Sequence, residues 1–421
     1  MDGVAASHLI TFLGGGGNAP YTSCEVAGVP GGAGTLAVDF SKLDDPAAHD
    51  PRVGVLGGSY GGQIQFAAAA TDSRVDTLVS LITWNDLRYS LAPNSTAQTT
   101  GVTYANQTPG AEKIGWRVLF FGVGIADGIQ GAGIDPARNV GCPNFVLQAC
   151  QAKATLDTLG YPTEQTYELT DRVSVGHYLD RVRAPTFLIQ GQNGTLFFRD
   201  WVKYTGTATP AYRTASSYHV EAPRSYYLSG AGDLVSNPGA VKSGSVSWSN
   251  PGLGAIGTYS EVCGLEGQIP AGTLPPDATA PYDAPGTMGA WTTQPLTTDA
   301  SVVGVATLNV TFTSPTVAAT QAAGPARQLQ VFAKLYDVAP DGSETLVNRL
   351  ISPVRLADVT KPVHLEMPGI VHLAAVGHHL QQVLSSTDAA YKNAYSVQPV
   401  TVTANPEAPV TLRIPVHPTS R

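Results

Sequence analysis

Apolar and polar positions follow two different rhythms along this chain, and the change falls near residue 200. Before it, residues 52–56 and 76–84 read as buried-type strands, and the Ala-rich stretch 63–70 between them favours a helix. A strand, a helix and a second strand in this order predict a parallel sheet with a right-handed crossover. Residues 184–190 form another apolar run, which predicts one more buried strand.

The other residues before position 200 give weaker patterns. Residues 8–13 suggest a short strand, and residues 36–43 suggest a short helix. Between residues 85 and 180 the strand rhythm stops, and we interpret this segment as a helical cap within a first domain of residues 1–200. Helical patterns occur there at three places: residues 115–127, 143–160 and 171–182.

After residue 200 short alternating runs dominate, which is typical of strands with one buried face. The runs lie at residues 224–228, 243–248, 301–313, 327–338, 344–350, 362–367, 381–386, 400–403 and 410–416. Leu329, Val331, Ala333 and Leu335 share one face, and Pro340-Asp341-Gly342 predicts a hairpin turn. The pattern favours a second domain at residues 201–421, a β-sandwich of the jelly-roll kind, with the boundary near 200–222.

The first predicted strand leads into Gly57-Gly58-Ser59-Tyr60-Gly61-Gly62, a Gly-x-Ser-x-Gly turn between a strand and a helix. This is the context of a nucleophile elbow, in which a strained turn exposes the serine hydroxyl. We expect side chains at Gly57 and Gly61 to clash with the crowded strand and helix. The free N–H groups of the following helix would face a developing oxyanion.

Composition narrows the classes of partner. The chain has 421 residues, a net charge of −8 and only 13% charged residues, with 43% hydrophobic residues. Without a basic run or a long apolar span, we expect no nucleic-acid and no membrane partner. Low charge with abundant Gly, Thr, Ala and Pro is typical of secreted bacterial enzymes. We therefore expect a secreted or cell-envelope protein, with a cytoplasmic location as the alternative because residues 9–13 are too short for a signal core.

Four cysteines are present: Cys24, Cys142, Cys150 and Cys263. Cys142 and Cys150 are close enough in sequence to form a disulfide, and four buried thiols are the equally weighted alternative. Neither the cysteines nor the histidines have zinc-ligand spacing. We expect no metal and no cofactor.

The chain resembles the X-Pro dipeptidyl-peptidase and cocaine-esterase (CocE/NonD-like) serine hydrolases. The resemblance rests on the elbow, on Leu81-Ile82-Thr83-Trp84-Asn85-Asp86-Leu87, on Pro185-Thr186-Phe187-Leu188-Ile189-Gln190-Gly191, and on three motifs of the second domain. These motifs are Tyr226-Tyr227-Leu228-Ser229-Gly230, Asp283-Ala284-Pro285-Gly286 and Phe332-Ala333-Lys334-Leu335-Tyr336-Asp337-Val338. It implies an α/β-hydrolase core with a helical cap and a C-terminal jelly roll, and cleavage of small peptides after proline, or of esters, through an acyl-serine. The core is expected to be incomplete, because residues 1–50 hold at most one convincing strand.

Two site residues carry over from the resemblance: Ser59 as nucleophile and Tyr60, whose backbone N–H would help to form the oxyanion hole. The triad acid does not, because Gly194 stands where the family has Asp, and the segment that would carry the catalytic His is missing. The remaining candidates are weak. They are His219 and His177 as base, Asp200 as relocated acid, Asn193 as an orienting group, His378-His379 as structural residues of the β domain, and the Gly14–Gly17 loop as an oxyanion donor.

Three functions are therefore compared. The first is a serine hydrolase acting on a small peptide or ester. The second is a catalytically impaired relative that serves as a binding scaffold or has no function. The third is a carbohydrate- or protein-binding module in the β domain, for which the sequence offers no exposed aromatic row.

Overall fold

The computed structural model describes residues 2–14, 19–22, 33–36, 43–45, 47, 50–96, 108–189, 223–259 and 281–417. The chain divides into two compact units. The first comprises Met1–Arg88, Gly124–Leu147 and Glu168–Gln190, and the second comprises Tyr89–Val123, Gln148–Tyr167 and Gly191–Arg421. The predicted domain boundary at 200–222 lies outside the described residues.

The helices, numbered in chain order, are α1 Asp2–Leu13, α2 Tyr60–Thr71, α3 Leu87–Leu91, α4 Ile114–Gly131, α5 Leu147–Leu159, α6 Glu164–Arg172 and α7 Pro315–Thr320. The strands before residue 200 are β1 Ala19–Thr22, β2 Ala33–Leu36, β3 Leu43–Asp45, β4 Asp50–Pro51, β5 Val53–Gly58, β6 Val75–Leu81 and β7 Thr186–Ile189. The later strands are β8 Arg224–Leu228, β9 Asp233–Val235, β10 Gly244–Ser249, β11 Thr258–Tyr259, β12 Tyr282–Asp283, β13 Met288–Thr293, β14 Ala300–Val310, β15 Phe312–Thr313, β16 Leu329–Val338, β17 Glu344–Leu356, β18 Val363–Ala374, β19 His379–Ser385, β20 Pro399–Ala404, β21 Thr411–Ile414 and β22 Val416–His417.

The first unit contains the predicted parallel sheet. Its three strands are ordered β5-β6-β7, and both pairings are parallel. Leu78 on β6 is fully buried and packs with Phe66 of α2 and Val175 in one apolar cluster. On the other face Leu56 and Phe187 are 72% and 63% exposed. The sheet and crossover helix are confirmed, but the prediction that residues 184–190 are buried is wrong, because β7 is an edge strand of the described sheet and all four of its residues are exposed.

Helix α1 corrects the prediction of a strand at residues 8–13. The helix runs over Asp2–Leu13, buries Ile10 and crosses α2 so closely that a Cβ on Gly3 would lie 2.4 Å from the Ala67 carbonyl oxygen. A short apolar run is compatible with either structure, and here the packing against α2 decides it. The helix predicted at residues 36–43 is not seen at its two described end residues, because Leu36 belongs to β2 and Leu43 belongs to β3. Residues 37–42 lie outside the described part of the chain.

The segment interpreted as a cap is helical at the expected places. Helices α4 and α5 confirm the patterns at 115–127 and 143–160. The third pattern, 171–182, is wrong in part: α6 ends at Arg172 and is followed by short 3-10 turns at Val175–His177 and Leu179–Arg181. Cys142 and Cys150 are both disulfide-bonded, so the alternative of buried thiols is wrong for these two residues, while Cys24 and Cys263 lie outside the described residues.

The second unit is dominated by antiparallel β-structure. A ten-stranded sheet has the order β17-β16-β19-β13-β9-β8-β21-β14-β18, with β22 beside β14, and β10-β20-β15 form a separate three-stranded sheet. The pair β13–β9 is parallel, so the large sheet is mixed. Every run predicted after residue 200 contains a strand, while the short strands β9, β11 and β12 and the strand β13 were not predicted. The jelly-roll topology remains a prediction.

Strand β16 explains why the β domain has such a regular pattern. Leu329, Val331, Ala333 and Leu335 point into one large apolar cluster, as predicted, and Phe332 and Tyr336 into a second cluster on the opposite face. The predicted turn after β16 is present, with Gly342 at φ 85° and its amide donating to the Ala339 carbonyl at 2.9 Å. This strand is therefore buried on both faces.

Lys334 is a charged residue within that buried strand. Its ammonium lies 2.8 Å from Asp283 and 2.9 Å from Asp388, and its side chain is 0% exposed. The Tyr336 hydroxyl donates to the same Asp283 carboxylate at 2.7 Å. Burial alone would lower the Lys334 pKa, but the two carboxylates outweigh it, so the pKa is raised and the ammonium form is held.

Candidate functional site

Ser59 lies at the turn between β5 and α2 in a backbone conformation that L-residues rarely adopt. Its φ is 55° and its ψ is −117°, and its side chain is exposed. A non-glycine residue in this region costs on the order of 1–3 kcal/mol, so the surrounding structure must hold it. The strand–elbow–helix context predicted from the sequence is confirmed.

Glycines around Ser59 allow the strand end and the helix start to touch. A Cβ on Gly57 would lie 2.7 Å from the Gly61 carbonyl oxygen, which confirms the prediction for Gly57. The prediction for Gly61 is wrong, because a Cβ there meets nothing within 4 Å. The crowded position is instead Gly62, where a Cβ would lie 2.9 Å from the Leu81 carbonyl oxygen and from the Thr83 side chain. Helix α2 therefore packs closely against the end of β6 at Gly62, a contact that could not be predicted from the elbow sequence alone.

Backbone hydrogen bonds fix the elbow to the next strand. The Ser59 amide donates to Leu81 O at 2.9 Å, and Ser59 O accepts from the amides of Gly62 and Gln63 at 3.0 and 3.1 Å. One strand further, the Ile82 amide donates to Ile189 O at 2.7 Å, and Ile82 itself has φ 42°. For a β-branched residue this is a genuine outlier. Strained backbone therefore occurs at the carboxyl ends of two adjacent parallel strands.

The Ser59 hydroxyl makes no hydrogen bond within the part of the chain that the structure describes. Tyr60, the first residue of α2, is 52% exposed, and its ring lies 6.2 Å from that of Trp84, which follows β6. The helix N-terminus adds a partial positive charge beside the hydroxyl. An exposed hydroxyl, a helix terminus and an aromatic wall can together receive an acyl group and its developing oxyanion.

Two buried polar side chains donate hydrogen bonds to the backbone carbonyl oxygens of the elbow. Gln65 is fully buried, and its amide nitrogen donates to Gly57 O at 3.2 Å and to Gly61 O at 2.9 Å. Ser80, on β6, is also fully buried and donates its hydroxyl to Gly62 O at 3.2 Å. Sequence reasoning missed both residues, and their only signal was polarity at positions where the pattern demanded apolar side chains.

The weak base candidate of the first unit, His177, is bonded to Asp171. Its Nδ1 lies 3.0 Å from Asp171 Oδ2, and its side chain is 48% exposed. The same carboxylate also pairs with Arg88 at 3.1 Å. His177 thus forms an imidazole–carboxylate pair, with no hydrogen bond to Ser59 among the described residues.

The second unit contains a histidine–carboxylate cluster that the sequence did not predict. Asp337 accepts from His372 Nε2 and His378 Nδ1, each at 2.8 Å. Burial opposes the charge on Asp337, but the two imidazole hydrogen bonds lower its pKa overall. His379, the neighbour of His378, instead contacts the Thr293 carbonyl through Nδ1 at 2.7 Å. These contacts agree with the structural role expected for His378 and His379.

Several sequence candidates lie outside the described residues: Gly15–Gly17 of the glycine loop, Asn193, Gly194, Asp200 and His219. Among the residues that are described, no group of three or more His, Cys, Asp or Glu side chains has a geometry that holds a metal ion. In the same part of the chain, no helix has the length and apolarity needed to cross a membrane.

Comparison with solved structures places the fold. An alpha-amino acid ester hydrolase aligns with a TM-score of 0.51 and 14% identity, over 87% of this chain and 77% of that one. A CocE/NonD family hydrolase from Staphylococcus aureus aligns with a TM-score of 0.49 and 11% identity, over 87% and 72%. An aminopeptidase from a marine sediment Thaumarchaeota archaeon aligns with a TM-score of 0.44 and 14% identity, over 87% and 76%.

The first of these likenesses shows the fold: the chain is built like an ester hydrolase with an α/β-hydrolase domain. The resemblance to CocE/NonD-like hydrolases that the sequence suggested is confirmed at this level. No family profile matches the chain, and no curated protein does.

Proposed function

We propose that this protein is a serine hydrolase that acts through an acyl-enzyme at Ser59. The observation that carries the proposal is the conformation of Ser59, φ 55° and ψ −117°, with an exposed hydroxyl at the N-terminus of α2. Strain of this kind is retained where the surrounding structure requires it, and it clusters at active sites. The ester-hydrolase fold supports the same reaction class.

In the proposed reaction Ser59 Oγ attacks the carbonyl carbon of the substrate, and the hydroxyl proton is transferred through solvent to the leaving group. The C–O bond to the leaving alcohol, or the C–N bond to the leaving amine, breaks and leaves an ester on Ser59. Water then hydrolyses this ester, which releases the carboxylic acid and restores the Ser59 hydroxyl. The backbone N–H of Tyr60 is the proposed donor to the oxyanion. A serine hydroxyl is a weak nucleophile without a base, so the rate depends on what accepts its proton.

Small esters are the proposed substrates, with peptides cleaved after proline as the finer alternative that the family resemblance implies. Esters are favoured because an alkoxide or phenoxide leaves more easily than an amine, which needs a proton from an imidazolium. The sequence has Gly194 where the family acid is expected. In a chain with a weakened triad, amide cleavage is therefore lost first and ester cleavage is retained.

The test is covalent labelling. The protein is incubated with a fluorophosphonate probe, digested, and the adduct located by mass spectrometry, with Ser59→Ala as the control. We expect labelling on the peptide that contains Ser59 and none in the variant. Labelling no faster than that of free serine would overturn the proposal.

A second candidate is an impaired relative that uses the fold as a binding scaffold. It is favoured by the engagement of His177 with Asp171, and by Gly194 at the acid position. The same labelling experiment separates the two candidates, because a scaffold predicts an inert Ser59 in a folded protein. Circular dichroism on the sample treated with the probe establishes that the protein is folded.

A further inference from the structure

We propose that Gln65 is a positioning residue that holds the Ser59 elbow in its strained conformation; this rests on the proposed function of Ser59. Gln65 lies on α2, six residues after Ser59, and its side chain is fully buried. Its amide nitrogen donates to Gly57 O and Gly61 O, which lie two residues before and two residues after Ser59. One side chain therefore binds both arms of the turn.

The geometry of the elbow explains why this link matters. The contact between Gly57 and Gly61 leaves no room for a Cβ, since one placed on Gly57 would be 2.7 Å from Gly61 O. The carbonyl oxygens of both arms lie within hydrogen-bond distance of one nitrogen, Gln65 Nε2, at 3.2 and 2.9 Å. The N–H₂ group of Gln65 offers two donors, so it can satisfy both oxygens at once. In this way one buried side chain restrains the two arms relative to each other.

The orientation of the amide follows from these partners. With the amide reversed, Gln65 Oε1 would face two carbonyl oxygens, so the nitrogen must be the atom that meets them. Oε1 is then buried and has no hydrogen-bond partner among the described residues. A buried acceptor without a partner lowers the stability of the fold, and an apolar side chain of the same size would avoid this cost. Glutamine at position 65 therefore fixes the geometry of the Ser59 turn at the expense of the stability of the folded protein.

Gln63 provides a matched control on the same helix. It is also buried, at 3% exposure, and within the described part of the chain its Oε1 likewise has no hydrogen-bond partner. Its amide nitrogen, however, donates to the Tyr178 hydroxyl and not to the elbow carbonyls. Replacement of either glutamine by methionine removes one buried side-chain amide from α2. Only the replacement of Gln65 also removes the hydrogen bonds to Gly57 O and Gly61 O.

The experiment compares Gln65→Met and Gln63→Met in fluorophosphonate labelling of Ser59 in the full-length protein. We expect Q65M to label about 10- to 100-fold more slowly, because small misplacement of a reacting group has effects of this size. Q63M should stay within about threefold of the wild type, since it leaves the reacting group in place. For an activated ester, Q65M should lower kcat and leave KM unchanged. Normal labelling by Q65M, or equal slowing by Q63M, would overturn the proposal.

A second readout does not depend on activity. The amides of Gly62 and Gln63 donate to Ser59 O, so their hydrogen exchange reports the elbow directly. Exchange should accelerate in Q65M and not in Q63M, and equal exchange in both would sink the positioning role. If wild-type Ser59 is not labelled, the proposed hydrolase function fails, and the exchange result alone decides the role of Gln65.

Gln65→Glu covers the case in which the methionine variant does not fold. The glutamate has the same length, but only its protonated form can donate to a carbonyl oxygen. The labelling rate of Q65E relative to the wild type should therefore rise as the pH falls. A ratio that does not change with pH would count against the hydrogen bonds to Gly57 and Gly61 as the cause.

Discussion

The backbone of Ser59 is strained in a way that the backbone of a glycine would not be. Replacement of Ser59 can therefore raise the stability of the protein even though it removes the proposed nucleophile. Ser59→Gly should stabilise the protein by about 1 kcal/mol, because relief of about 1–3 kcal/mol of strain exceeds the entropic cost of glycine in the unfolded chain. Ser59→Ala keeps the Cβ and should give no such gain. Urea denaturation of the two variants measures the difference. A Ser59→Gly variant no more stable than Ser59→Ala would contradict the strained assignment.

The glycines on either side of Ser59 are not equivalent. Gly57→Ala should destabilise the protein by about 2 kcal/mol or more and slow the labelling of Ser59, since its Cβ overlaps the Gly61 carbonyl. Gly61→Ala should be neutral or stabilising by up to about 1 kcal/mol, because the position is helical and has open space around it. Thermal denaturation of the matched pair tests this ordering. Equal loss in both variants would mean that the elbow tolerates neither.

At the scale of elements, an ion pair fastens the end of α2 to α1. Asp72 accepts hydrogen bonds from the Arg74 amide and guanidinium, at 2.7 to 3.0 Å. The guanidinium also donates to Ser7 O and to the Thr11 hydroxyl, both on α1. The Arg74 hydrogen bonds, opposed by burial, lower the pKa of Asp72 to about 2. The charged carboxylate is therefore the form that holds the two helices together.

This ion pair makes stability depend on pH in a defined window. Because the folded pKa of Asp72 is below the unfolded value near 3.9, its contribution is complete above pH 4 and is lost as the pH falls toward 2. Asp72→Asn should cost on the order of 1–2 kcal/mol at pH 7 and much less at pH 2.5. Denaturant unfolding at the two pH values, with the exposed Asp180→Asn as control, measures it. A cost that is the same at both pH values would refute the role of the charge.

For the whole molecule, the expected chemistry is selective between leaving groups. Wild-type protein should cleave an activated aryl ester at a rate that depends on Ser59. It should cleave an Xaa-Pro anilide far more slowly or not at all, because an amine leaving group needs a proton from an imidazolium and a phenoxide does not. Parallel assays with Ser59→Ala as the blank measure the ratio. Comparable turnover of ester and amide would mean that a complete triad is present.

The sequence predicted the parts of this molecule that depend on neighbours in the chain. The elbow around Ser59 and the inward face of Leu329, Val331, Ala333 and Leu335 follow from local pattern alone. The crowding at Gly62 could not be predicted, because the atoms that cause it belong to Leu81 at the end of β6 and to Thr83 just after it. For the same reason the pattern did not reveal the cluster in which His372 and His378 meet Asp337.

Helix α1 and strand β7 illustrate the opposite error, in which local pattern pointed to the wrong environment. Residues 8–13 are apolar enough for a strand, but Ile10 is buried against α2 in a helix. Residues 186–189 are apolar enough for a core strand, yet they form an exposed edge. Apolar runs of four to six residues do not specify their partners, so packing decides them.

The restraints on the Ser59 turn come from the carbonyl oxygen of Leu81, the closeness of Gly57 to Gly61 and the amide of Gln65. The residues that hold the turn therefore lie on β5, on α2 and at the end of β6. A backbone of this kind is a favourable starting point for directed evolution, because an imidazole or a carboxylate is easier to introduce by substitution than a strained serine.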